Sequence, residues 1–96
     1  MRKITIKSAS AFENNENFKE SNTEVITDGH TTILSLFGHK IAFKDTSTNE
    51  LRITNCGYKT NTTKERLNGL SGVSINQKKG TWYLNGVEWN GKLITV

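Results

Sequence analysis

The sequence predicts an α+β fold: a small antiparallel β-sheet, built from a meander and C-terminal hairpins, with an N-terminal helix and a short central helix. Three observations lead there. Short β-rich runs recur from residue 23 onward, and the connections between them are too short for anything but antiparallel neighbours. Two other segments space their apolar residues for helices instead.

The first helix is expected over residues 3–14. Ile4, Ala11 and Phe12 fall at helical spacing. Ile4 and Ile6 also alternate like a short strand, and length decides for the helix, which Asn14-Asn15 ends. Residues 16–22 are polar apart from Phe18 and read as a loop. Thr23–Thr27 is the first strand. Asp28-Gly29 has the composition of a type I′ turn, His30–Phe37 returns, and Gly38-His39 makes the next reversal. Ile41–Phe43 and Leu51–Ile53 continue the meander around the polar loop Asp45–Asn49.

The central helix has a capping-box pattern in Thr62-Thr63-Lys64-Glu65, an apolar stripe in Leu67 and Leu70, and Gly69 and Gly72 to end it. Val73–Gln77 alternates cleanly, Lys78-Lys79-Gly80 turns, and Thr81–Leu84 returns. Asn85-Gly86 is a strong hairpin signal, and Asn90-Gly91 repeats it before Leu93–Val96. The phase of the alternation puts Val73, Ile75, Trp82 and Leu84 on one face, covered by Leu67 and Leu70. Tyr83 then faces outward, and Trp89 is the next candidate for exposure. Residues 1–96 form one domain with no linker.

The apolar fraction is 33%, below the usual ~45–50%, so the core is thin and the surface strongly polar. Phased apolar runs distinguish the chain from a disordered one. With a single cysteine, Cys56, neither an internal disulfide nor a multi-cysteine zinc site is available, and a reducing, intracellular setting fits. Met1-Arg2-Lys3 is not followed by the apolar run of a signal peptide, and no stretch approaches a membrane span. The net charge of +4 is uneven: residues 1–50 hold six Lys/Arg against seven Asp/Glu, residues 51–96 seven against two. Such asymmetry marks either an acidic partner or a solubilising surface.

Catalytic parts are sparse. His30 and His39 border turns without the close spacing of metal ligands, and no metal or cofactor is expected. Cys56 stands shortly before a helix N-terminus, which lowers a thiol pKa, but a nucleophile also needs a base, and the chain has only two histidines. The carboxylates are scattered, and no phosphate loop or catalytic triad pattern is present. A small enzyme built on Cys56 or a carboxylate is the least favoured class. The richest stretch mixes rings and cations: Tyr58, Lys59, Lys64, Arg66, Lys78, Lys79, Tyr83, Trp89 and Lys92 are the candidate binding residues. Lysines that hold phosphates beside rings that stack on bases are the parts of a single-strand binder. The bland reading makes Trp82 and Trp89 core, and Arg66 a scaffold side chain bonded to strand carbonyls.

The motif Thr60-x-Thr62-Thr63-x-x-Arg66-Leu67-Asn68, preceded by Gly57-Tyr58 and followed by Gln77-Lys78 and the strand Trp82-Tyr83-Leu84, resembles a group of small phage and prophage proteins of uncharacterised function. The likeness covers nearly the whole chain and is most specific in its centre. It implies a phage setting, in the cytoplasm of an infected or lysogenic bacterial host, and transfers no catalytic residues. The function expected is that of a non-enzymatic binding protein acting on a host or viral macromolecule, an inhibitor of host defence being one form of it. The alternative is single-stranded nucleic-acid binding through the basic, aromatic C-terminal half. No membrane partner is expected, and the sequence leaves the oligomeric state open.

Overall fold

The computed structural model describes residues 1–96 and has the α+β architecture the sequence predicts. Helix α1 (Lys3–Glu13) leads into a six-stranded antiparallel sheet. Its strands are β1 (Phe18–Glu20), β2 (Thr23–Thr27), β3 (Thr31–Leu36), β4 (His39–Asp45), β5 (Leu51–Ile53) and, at the far edge, β9 (Ile94–Thr95). Between β5 and β9 the chain inserts helix α2 (Asn61–Asn68) and a three-stranded sheet of β6 (Ile75–Lys78), β7 (Thr81–Leu84) and β8 (Val87–Glu88). No helix is long and apolar enough to cross a membrane.

Register builds the core. Val25, Leu34, Ala42 and Ile53 pair in sequence across β2 to β5 and so form one buried row on one face. Phe12, Ala9 and Ala11 of α1 and Leu67 of α2 join the same cluster. The smaller sheet adds Ile75, Trp82 and Leu84, and Val73 and Leu70 close it, so the six residues expected to share a core do so.

Two buried cations fix the helices. Lys44 donates to the carbonyls of Phe12 (2.7 Å) and Glu13 (3.0 Å) at the C-terminal end of α1, where a cation is favoured. Burial pushes its ammonium below the ordinary lysine range, and Glu13 opposes that shift. Arg66, only 2% exposed, donates Nε to Thr23 and Nη1 to Thr5, both at 2.9 Å, and so ties α2 to β2 and α1.

Several local expectations change. Residues 16–22 are not all loop: Phe18–Glu20 forms the edge strand β1, paired Phe18 with Val25 and packed on the core through Phe18. An edge strand of mostly polar residues leaves little periodicity to read. Asp28-Gly29 is not a type I′ turn, because Asp28 keeps a negative φ. Its carboxylate instead accepts from the backbone N–H groups of His30 (2.8 Å) and Thr31 (2.9 Å), which hold it below the usual carboxylate range. The β3–β4 reversal centres on Phe37-Gly38, both with positive φ, rather than on Gly38-His39. The cap of α2 is Thr60, whose hydroxyl accepts from the Thr63 N–H (3.2 Å), not Thr62. Glu65 does not reach back to close a capping box; its carboxylate accepts from the Arg2 N–H (2.9 Å) and the Thr5 hydroxyl (3.0 Å). The glycines expected in tight turns, Gly29, Gly86 and Gly91, all have positive φ, but Asn90-Gly91 closes no hairpin: Asn90 does not share the positive φ, and β9 pairs with β5 rather than β8.

Candidate binding surface

The β6–β7 hairpin is closed by Lys79-Gly80, with φ of 50° and 80°, the left-handed pair of a two-residue turn. Lys78 ends β6 and Lys79 occupies the turn, and both are exposed. Two further lysines arrive from outside the hairpin. Lys59, in the segment leading to α2, donates its ammonium to the Gly80 carbonyl. Lys64, on α2, donates to the Gln77 side-chain carbonyl at 2.6 Å and stands 5.8 Å from the Trp82 ring centroid. Sequence positions up to twenty residues apart thus meet around one turn. None has a carboxylate partner: the one ion pair in the chain, Lys7–Glu20 at 3.4 Å, lies elsewhere.

The other candidate residues divide. Trp89, a candidate for exposure, is buried. It is 6% exposed, its ring lies 6.1 Å from that of Trp82, and its indole N–H donates to the Lys92 carbonyl at 2.9 Å. A local carbonyl three residues on satisfies the indole N–H and so permits burial. Arg66 is enclosed among Thr5, Thr23 and Asn22, so it presents no open guanidinium to a ligand. Its partners are side chains, not the strand carbonyls expected. Tyr83 is half-buried, opposite Asn76 and Glu88 on the neighbouring strands. Lys92 is exposed and its ammonium makes no polar contact. Tyr58 is 48% exposed and stacks on His39, with ring centroids 4.2 Å apart and planes at 27°.

That stack belongs to a feature the sequence reading missed. Phe37, His39 and Tyr58 wall a half-open groove of about 270 Å³ floored by Leu36 and Ile41. The clue was available in Phe37-Gly38, a possible turn pair, but phenylalanine is an unfavourable occupant of a left-handed position. Cys56 lies close by, and its thiol donates to the Lys40 carbonyl at 2.9 Å. Burial pushes this thiol up, not down as its place before a helix suggested. His30, His39, Cys56 and Asp28 do not assemble into a ligand set: no three His, Cys, Asp or Glu side chains gather closely enough to hold a metal ion.

The surface therefore offers exposed ammonium groups at one hairpin and an aromatic groove beside it, with the segment Tyr58–Thr60 as the ridge between them. Set against known protein families, residues 1–94 match the family model described as Kyanoviridae Gp96 protein. No curated protein and no solved structure matches the chain.

Proposed function

The chain belongs to the Kyanoviridae Gp96 protein family, a family of phage proteins, and on that premise we propose that it is a non-enzymatic binding protein whose partner is an acidic protein surface of the host or the phage. The observation that supports this reading is the placement of Lys59, Lys64, Lys78 and Lys79 around one hairpin with none of them in an ion pair. Four lysines distributed around one hairpin raise the local potential, which steers an acidic partner and sets its register. Two of them are already fixed by hydrogen bonds, so less side-chain entropy is lost on docking.

A protein partner is preferred to single-stranded nucleic acid because both tryptophans are buried. A stacking platform needs open ring faces, and of the rings counted for that role only the half-buried Tyr83 and Tyr58, which stacks on His39, reach the surface. The site of action under this reading is the cytoplasm of the infected host.

The test is capture from phage-infected cells with the wild-type chain and with Lys78→Ala/Lys79→Asn as baits, followed by mass spectrometry. Asn accepts the left-handed backbone at position 79. The expected result is an acidic protein held by the wild type, released by salt and lost from the double variant. Equal capture by both baits, or capture of nucleic acid alone, contradicts the proposal.

A further inference from the structure

We propose that the groove walled by Phe37, His39 and Tyr58 takes one large apolar side chain of an acidic peptide segment, the same segment whose carboxylates meet the hairpin lysines. This inference rests on the reading of the lysine surface given above and adds its anchor. Its first support is a cost that the fold has no need to bear. Phe37 sits at the first central position of a two-residue turn with φ of 52°, and it is 68% exposed. The matching position of the β7–β8 turn, with φ of 51°, is filled by Asn85, which tolerates that backbone. A large apolar residue in a left-handed position lowers stability, its exposure gains no burial to offset that cost, and such outliers concentrate where a ligand docks.

The second support is preorganisation. His39 opens β4 and Tyr58 lies in the segment before α2, yet their rings stack at 4.2 Å, so the wall stands ready before any ligand arrives. At about 270 Å³ the groove is smaller than sites for drug-sized molecules and suits a single side chain. The third support is charge. No carboxylate lines the groove. Along the ridge, Tyr58 and Thr60 turn into the groove while Lys59 turns to the hairpin at Gly80. An extended peptide crossing this ridge meets the rings with one residue and the lysines with its neighbours, because successive side chains of an extended chain alternate.

The experiment titrates short synthetic peptides of glutamate, with one central Phe or one central Ala, into the isotope-labelled protein and follows backbone amide signals. For the wild type, the Phe peptide should shift Phe37, His39 and Tyr58 and bind about tenfold more tightly than the Ala peptide. Phe37→Asn should abolish that tenfold preference while its melting temperature stays level or rises. Lys78→Ala/Lys79→Asn should weaken both peptides and keep the preference for Phe. If both peptides bind the wild type equally and the double lysine variant weakens both, the groove proposal falls and the lysine surface stands. If Phe37→Asn keeps the preference, the groove proposal falls as well. If neither peptide binds, both readings fall. Shifts of the three groove residues with protein concentration alone would assign the groove to a second copy and overturn the proposal.

Discussion

The Tyr58 ring stacks on His39 across two segments that have no backbone pairing, at a centroid distance of 4.2 Å. The contact fixes the approach to α2 and, through the next residue, the place from which Lys59 reaches Gly80. An aromatic pair of this geometry contributes about 0.5–1.5 kcal/mol beyond its buried area. Tyr58→Ala should therefore lower stability by about 1 kcal/mol in urea unfolding, with the fold retained. A loss of cooperative unfolding, or no loss of stability, contradicts this role.

Trp82 is the largest fully buried side chain, and its indole nitrogen has no hydrogen-bond partner. Trp82→Ala should cost about 3–5 kcal/mol, as large core deletions do. Trp82→Phe should cost far less, about 1–2 kcal/mol, because it removes the unpaired donor together with part of the ring. Urea unfolding of the two variants side by side checks the difference, and equal losses would mean that the unpaired nitrogen is irrelevant.

Arg66 joins three parts of the chain through Thr5, Thr23 and, at 3.5 Å, Asn22. Burial pushes its guanidinium below the ordinary arginine value, and Glu65 opposes that shift. Arg66→Ala should cost about 3 kcal/mol, since charged hydrogen bonds and packing are lost together. Arg66→Lys should recover less than half, because one ammonium does not reproduce the planar fork. Both losses should appear in denaturation, and binding by the folded fraction should be unchanged.

Glu65 gives the acid dependence. The Arg2 N–H, then the Thr5 hydroxyl and nearby positive charge, hold its carboxyl below the ordinary 4.5, against a smaller rise from burial. A depressed folded pKa means the unfolded chain binds the proton first. The contribution is complete above about pH 4.5 and disappears as pH falls through the folded value. Glu65→Gln should thus be less stable than wild type at neutral pH, and the gap should close on acidification. A gap that stays constant to pH 2–3 would assign the loss to something other than this ionisation.

The meander and hairpins were legible because alternation and Asn-Gly pairs act locally. Asn85-Gly86 and Lys79-Gly80 fold as turns with positive φ at both positions. What escaped was set by tertiary contact. Glu65 matches a capping box in sequence, yet Thr5, sixty residues away, takes its carboxylate, and Thr60 supplies the cap. Trp89 is buried against Trp82, 6.1 Å away between ring centroids, while its N–H is satisfied locally by the Lys92 carbonyl. Lys44 and Arg66 look like surface cations in a polar sequence, and only the packing of α1 against the sheet buries them. Of the candidate site, the lysines were legible from charge asymmetry. The groove was not, because Phe37 occupies its turn against propensity.

The most direct measurement is the salt dependence of affinity between this chain and the protein it captures, with wild type beside Lys78→Ala/Lys79→Asn. The account predicts that affinity falls steadily as salt rises and that the double variant binds more weakly with a shallower dependence, because two of the four lysines around the hairpin are gone. It also predicts unchanged folding, since exposed turn lysines contribute little to stability. An affinity indifferent to salt, or a double variant that binds like wild type, would contradict it.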